Sequence, residues 1–432
     1  MVHDTVKKTV LLALCAICCV CAALPAVFRA SAQAADEPDG AAGVPVLTVT
    51  TDSGDGCSLE KSDGYVSAHI AVRDVDGSEW DEEIRFKVRG NTTALPWVKK
   101  KSFAFKFDVK RDVLGLGRGK KWIILSNAFD PTLLRNMLAF ETADELGLAY
   151  TSGHRFVELW LDGSYRGSYL LLEPVREGAE RVVLDLEGNE GLKDFLVEYS
   201  SEEATLDPAD ACFTAGELRF HAADPEEPDA RQLAYMEQTL SEILQTLRTG
   251  TESEIARRID LPSFARYYLL NEYYKPFDFS VSSVFFYYKD GKLYAGPVWD
   301  YDLSMGNANE AYSERGRSAA STQGLFADKN LFRYLVRNSW FMDAVRAEYE
   351  AHHDFFSRLH TDGGILDGLR SAYGETIERN YTQAGWKISK WWINTQRKPD
   401  HSYDDNYAFL KDWLSGRYAW FEAYFEPASP SS

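Results

Sequence analysis

The segment Gly296-Pro297-Val298-Trp299-Asp300-Tyr301-Asp302 sets two carboxylates one residue apart among Trp, Tyr, Pro and Leu. In an extended chain, residues i and i+2 share a face. Asp300 and Asp302 are therefore expected to point together and to hold a hard cation such as Mg²⁺, which takes oxygen ligands and shares them with phosphate. A solvated acidic turn is the plainer reading, and the apolar neighbours argue against it. A complementary set of donors lies in the first half of the chain. Arg89-Gly90-Asn91-Thr92-Thr93 precedes a cluster of Lys99, Lys100 and Lys101, with Lys106 beyond it. A Gly turn lets backbone N–H groups approach phosphate oxygens, Thr hydroxyls add donors, and a Lys reaches phosphate as a point charge. Any single one of these lysines also fits a solvated basic patch. Gly115, Gly117 and Gly119 read as a turn. The chain has no His-Glu-x-x-His zinc helix, no Gly-x-Ser-x-Gly nucleophile elbow and no Walker phosphate loop.

These residues need elements to position them. From Val44 to about Asp108, short alternating runs predict strands at Val46–Thr50, Val66–Val72, Ile84–Val88 and Phe103–Phe107. Asp130 and Pro131 read as the N-cap and first residue of a helix that Gly147 ends. Its apolar stripe runs through Leu134, Met137 and Leu138, and Glu141 falls on that stripe, with Glu145 next. An inward Glu requires a cation. Strands at Arg155–Leu161 and Ser168–Leu172 follow, joined by the turn Asp162-Gly163. Residues 177–228 read mainly as loops. Helices at Gln232–Arg248 and Leu261–Tyr274 come next, then a hairpin of Val284–Lys289 and Lys292–Val298 around Asp290-Gly291, then a helical, aromatic-rich remainder. Between the second of these helices and the hairpin lies Lys275-Pro276-Phe277-Asp278. A loop carboxylate after a long helix, followed by a hairpin that ends in a metal-binding Asp, is the order in which a protein kinase arranges its catalytic base and its metal ligand.

Five blocks in order, Arg89-Gly90-Asn91-Thr92-Thr93, Lys100-Lys101-Ser102-Phe103, Asp130-Pro131-Thr132-Leu133-Leu134-Arg135-Asn136, Phe156-Val157-Glu158-Leu159 and Trp299-Asp300-Tyr301-Asp302, resemble the spore-coat protein H (CotH) kinase family. The resemblance covers residues 84–307. It implies an α+β, two-lobed protein-kinase-like fold, with a strand-rich lobe over 44–175 and a helical lobe over 176–432. It also implies ATP with Mg²⁺ or Mn²⁺ as cofactors, and transfer of the γ-phosphate to Ser or Thr of a protein. In that alignment Asp278 matches the catalytic Asp and Asp300 the metal Asp, with Asp302 in the same block. Lys101 is the first choice for the ATP lysine and Lys106 the second, with Glu141 as its partner. Glu173 sits where the hinge would touch adenine. The position that carries a second-metal Asn in kinases is Ser283, which leaves an inactive kinase fold as an alternative. In that case a surface or cell-wall protein would bind glycan through Trp391, Trp392, Trp413 and Trp420.

The compartment is read from the first residues. Lys7 and Lys8, an apolar run from Thr9 to Phe28 and the small residues Ala30-Ser31-Ala32 have the form of a secretory signal over 1–32, with a linker over 33–43. An uncleaved anchor is the rival, because a membrane span needs ~20 apolar residues. A secreted or surface-associated protein is the expectation either way. Of the 6 cysteines, only Cys57 and Cys212 lie beyond this segment, either as one disulfide or as two free thiols. The formal net charge of −19 disfavours binding to nucleic acid or to an anionic membrane, both of which attract positive fields.

Overall fold

The computed structural model describes residues 43–201, 211–308, 318–387 and 402–426. The expected signal segment and the residues Trp391 and Trp392 lie outside the described residues. Among the described residues no helix is long and apolar enough to cross a membrane.

The first half folds into a closed barrel of β1 (Val46–Thr51), β2 (Val66–Arg73), β3 (Glu79–Arg89), β4 (Ser102–Asp112), β5 (Arg118–Leu125), β6 (His154–Leu161) and β7 (Ser164–Leu172), in the order β1-β2-β3-β4-β5-β7-β6. Neighbours are antiparallel except at the seam, where β1 runs parallel to β6 with Val46 opposite Glu158. Period-2 patterning decides what fills the barrel. Ile84, Phe86 and Val88 of β3 and Phe103, Phe105 and Phe107 of β4 point inward with Trp122, Leu159 and Leu171. Rings such as Phe86 and Phe103 stack there at 4.9 Å, and each buried Phe contributes roughly 1.5–3 kcal/mol. The alternate residues Arg85, Lys87, Arg89 and Lys106 are consequently turned to the outer face. The hairpin at Asp162-Gly163 has φ of 48° and 74°, and the Asp162 carboxylate fastens it by accepting from the N–H groups of Thr51 and Gly56. Gly115 and Gly117 form the expected turn with positive φ, whereas Gly119 lies inside β5.

Helix α1 spans Arg135–Glu145, one turn later than Asp130 and Pro131 suggest. Leu133 takes φ of 60°, and the Asp130 carboxylate accepts from the N–H groups of both Thr132 and Arg135. This Asx turn uses the donors of 132–135 before any helix begins.

The second half departs from the expected helices-plus-one-hairpin layout. It contains a five-stranded sheet of order β12-β11-β8-β10-β9, built from β8 (Phe195–Tyr199), β9 (Cys212–Ala215), β10 (Leu218–Asp224), β11 (Val284–Lys289) and β12 (Lys292–Ala295). Residues 177–228 therefore carry three strands as well as loops. β8 is covered on both faces, so it lacks the alternation that marks a half-exposed strand. Against this sheet pack α2 (Ala230–Thr249), α3 (Glu252–Arg258) and α4 (Leu261–Tyr274); α5 (Ser339–Ala351) packs on α4, α6 (Ile365–Thr382) packs on barrel strand β7, and α7 (Tyr403–Phe425) closes the described chain. In α4 the Asp260 side chain caps the Ser263 N–H and Pro262 occupies the first turn, as read from sequence.

The result is a mixed α+β fold in which the first half closes into a barrel. One continuous apolar core includes α1, the outer barrel residues Phe156, Leu170 and Leu172, the second sheet and the helices. Cys57 and Cys212 are free thiols.

Candidate active site

Two loops of the second half are clipped together, and one of them meets the N-terminal end of α1. The first follows α4, where Lys275 ends the helix in a left-handed conformation, φ 49°. A single turn over Phe277–Ser280 then presents Asp278. The second follows β12 and carries Asp300 and Asp302. Asp300 is not extended as the sequence suggested: its φ of 66° makes a bend, so the shared-face argument for the pair fails. The pair is instead held by a network. The Asn136 side-chain oxygen accepts the Tyr301 N–H at 2.7 Å, and Tyr301 Oη donates to Asn271 Oδ1 on α4 at 2.8 Å. Arg135, fully buried and ion-paired with Asp130, donates Nε to the Ser304 carbonyl at 3.0 Å and Nη2 to that of Met305 at 3.3 Å. Asn307 Nδ2 donates to the Asp302 carbonyl at 2.7 Å. The two loops are also clipped directly, Phe277 N–H to Leu303 O at 2.9 Å and Met305 N–H to Tyr274 O at 2.8 Å.

Three carboxylates are thereby sunk into one place, and each is held above the usual carboxylate range. Burial, then the charge of Asp300, pushes Asp278 up to about 7. Burial, then the charges of Asp300, Asp278 and Asp130, pushes Asp302 far up. Asp300 is raised by burial, against the opposing pull of the Arg89 guanidinium and of the Ser283 hydroxyl. The Ser283 Oγ reaches Asp300 Oδ2 at 3.4 Å. Arg89, half-buried at the end of β3 with its guanidinium 5.7 Å from the Trp299 ring, is the cation facing Asp300.

Among the described residues no group of three or more His, Cys, Asp or Glu side chains is arranged to hold a metal ion by itself. The donor set nevertheless suits Mg²⁺ or Mn²⁺, because Mg²⁺ takes only one or two carboxylates and completes its shell with water and phosphate oxygens. Buried acids that repel one another are the chemistry such an ion relieves.

The sequence model of a family described as CotH kinase protein matches residues 86–421. This chain belongs to the CotH kinase protein family. No curated protein matches it. Membership makes it kinase-like. Lys101, the first choice for the ATP lysine, is turned away from the carboxylates: its Nζ donates to the carbonyls of Ala94 and Leu95 at 2.9 and 2.8 Å, with Glu60 at 3.5 Å. Glu141 does not pair with it. Glu141 is exposed, near His154 at 3.7 Å, because α1 is buried on all sides only from Arg135 to Phe140, whereas its second half turns Glu141, Asp144 and Glu145 to solvent. Lys100 is sealed in, donating to Ser126 O at 3.0 Å and Ser168 O at 2.6 Å.

Lys106, the second choice, is on the outer barrel face with Lys87 and Arg89. The ammonium groups of Lys106 and Lys87 lie 4.4 and 4.5 Å from the centre of the Tyr65 ring, and the charges of Arg176 and Arg89 act on the Tyr65 phenol. Glu173 directly follows β7, where a hinge belongs, but its N–H goes to Gly153 O at 3.0 Å and its carboxylate to Arg181 at 2.9 Å. Of the aromatics considered as a glycan platform, Trp413 is buried with its indole N–H on Ala320 O at 2.8 Å, and Trp420 stacks on Tyr424 at 4.8 Å beneath Arg417.

Sequence reasoning missed Arg135, Asn136 and Asn307 as positioning residues, and it missed Tyr65 and Lys87 beside Lys106. The first two were visible as polar residues opening an otherwise apolar helix.

Proposed function

We propose that this chain is an ATP-dependent protein kinase that works outside the cytoplasm on Ser or Thr of an exported or surface protein, with Mg²⁺ or Mn²⁺ and no nucleic-acid partner. The barrel takes the place of the small kinase lobe and the second sheet with its helices that of the large one. The observation that carries this reading is the burial of Asp278, Asp300 and Asp302 close enough to act on one another, with Arg89 facing Asp300, on loops that leave a long helix and a hairpin in kinase order.

Asp278 accepts and orients the acceptor hydroxyl. The hydroxyl oxygen attacks the γ-phosphorus, the bond from that phosphorus to the bridging oxygen breaks, and ADP leaves while the hydroxyl proton passes to the Asp278 carboxylate. Asp300 and Asp302 would hold the divalent ion, which would supply neutralisation of charge on the phosphate oxygens. Arg89 and Lys106 supply fixed positive charge from the barrel side. Such transfer relies mainly on positioning and charge neutralisation, which suits a site whose loops are clipped by buried side chains.

The test is thermal unfolding of the full chain with and without ATP plus MgCl₂ or MnCl₂, joined to transfer of labelled γ-phosphate to protein. Wild type should be stabilised by the nucleotide–metal pair and transfer label, Asp300→Ala should lose both, and Asp278→Asn should keep the stabilisation while losing transfer by 10²-fold or more. Stabilisation without transfer in wild type would leave a nucleotide-binding protein and refute the catalytic reading. An unfolding temperature that ignores the ligands would remove the site altogether.

A further inference from the structure

Protein kinases bind a second metal ion through an Asn five residues after the catalytic Asp, and here that position is Ser283. Another oxygen donor stands at the same spot. Glu198 lies on β8 opposite Phe285 of β11, and it is the residue of that strand left partly exposed. Its Oε1 accepts the Ser283 N–H at 2.7 Å. Ser283 Oγ in turn donates to Asp300 Oδ2 at 3.4 Å. One residue thus bridges two carboxylates, through its N–H on one side and its hydroxyl on the other. Arg89 faces both acids.

A carboxylate has about four lone-pair sites, so the Ser283 N–H leaves Glu198 with acceptor capacity. The other oxygen, Oε2, is 3.7 Å from His221 Nδ1, longer than a hydrogen bond. The hydroxyl of Ser283 is a weaker ligand than an amide carbonyl, whereas the carboxylate beside it is a stronger one. Its extra negative charge is balanced by Arg89.

We propose that Glu198 is the ligand that replaces the kinase asparagine, so that the site takes two divalent ions, one at Asp300 and Asp302 and one at Asp300 and Glu198. The assignment rests on the nucleotide–metal reading of the site, and it deepens that reading by making a strand of the second sheet part of the metal centre. Ser283 is the bridge that holds Glu198 there. Its φ of 63° is a conformation that Asn adopts readily, so the usual amide can be restored at this position without backbone strain.

The experiment counts protein-bound Mn²⁺ by electron paramagnetic resonance of the full chain with a non-hydrolysable ATP analogue. Wild type should bind two ions, Glu198→Met one, and the double variant Glu198→Met/Ser283→Asn two again. Met keeps the length of the arm without an oxygen donor, and the rescue by Asn separates a ligand from a merely structural residue. Glu198→Asp, which keeps the charge but shortens the arm, should weaken the second ion several-fold and leave the first unchanged. One ion in wild type, or two in Glu198→Met, overturns the assignment and leaves the nucleotide–metal site standing. No bound Mn²⁺ in wild type overturns both.

Discussion

Replacing Arg135 by Met isolates the link between packing and the site. Arg135 and Asp130 are 0% and 1% exposed, so the substitution leaves a buried carboxylate without its cation, which costs about 3–5 kcal/mol. Asp130 keeps its bonds from the N–H groups of Thr132 and Arg135, which places the loss near the middle of that range, ~4 kcal/mol. With an unfolding entropy of about 2.1 cal/mol/K per residue over about 400 residues, this lowers Tm by about 5 °C. The carbonyls of Ser304 and Met305 also lose their donor, which frees the loop carrying Asp300 and Asp302.

A ligand at 100 times its Kd stabilises by about 2.7 kcal/mol, or about 3 °C on the same scale. The assay is Tm of the full chain with and without ATP and Mn²⁺, with Arg417→Met as control. Arg417 holds a comparable buried pair with Glu272 at 2.7 Å, and it donates to the carbonyls of Tyr273, Thr322 and Gly324 rather than to those of Ser304 and Met305. Both variants should lose similar stability, and Arg135→Met alone should lose the ligand shift. An unchanged shift in Arg135→Met, or an equal loss in both, refutes the positioning argument.

Asp300→Ala should raise Tm in the absence of ligands, because it removes the charge that helps to lift Asp278 and Asp302; a lower Tm would contradict the repulsion. Lys106→Ala should weaken ATP–Mn²⁺ binding about 10- to 100-fold, the equivalent of ~1.5–3 kcal/mol for a charge-assisted contact. Lys101→Ala should instead leave binding intact and lower Tm, and isothermal titration separates the two. Burial pushes Lys275 down to about 7, so the folded lysine is neutral above that pH while the unfolded one still takes a proton up to its ordinary pKa. The unfolded state binds more protons in this window, and stability therefore rises with pH from about 7 to about 10. At ~1.4 kcal/mol per unit, Lys275→Met should be more stable than wild type by on the order of 4 kcal/mol at pH 6, a gap that closes by pH 10. Urea unfolding at the two values measures it, and a constant gap would rule out the titration.

The sequence by itself determined whatever depends on neighbours along the chain. Six of the seven barrel strands followed from alternation, β5 being the exception, and α4 from its cap and proline. The hairpin followed from Asp290-Gly291, and the order of Asp278 and Asp300 from their place after helix and hairpin. Family membership was legible in the same blocks. The tertiary structure decided what depends on residues far apart. β8 is buried on both faces and so left no period in the sequence. α1 begins late because the Asp130 carboxylate binds the donors a first turn would have used. Which lysine is turned to the outer barrel face is a matter of strand parity: inside the barrel β4 buries Phe103, Phe105 and Phe107, which turns Lys106 outward onto the Tyr65 ring and sends Lys101 to the carbonyls of its own loop. Asp300 and Asp302 converge through a bend fixed by Arg135, Asn136 and Asn307, residues ordered in the chain far from or beyond the pair they hold. A short pattern records propensity and burial, whereas a site joins groups whose meeting is fixed only when the core closes.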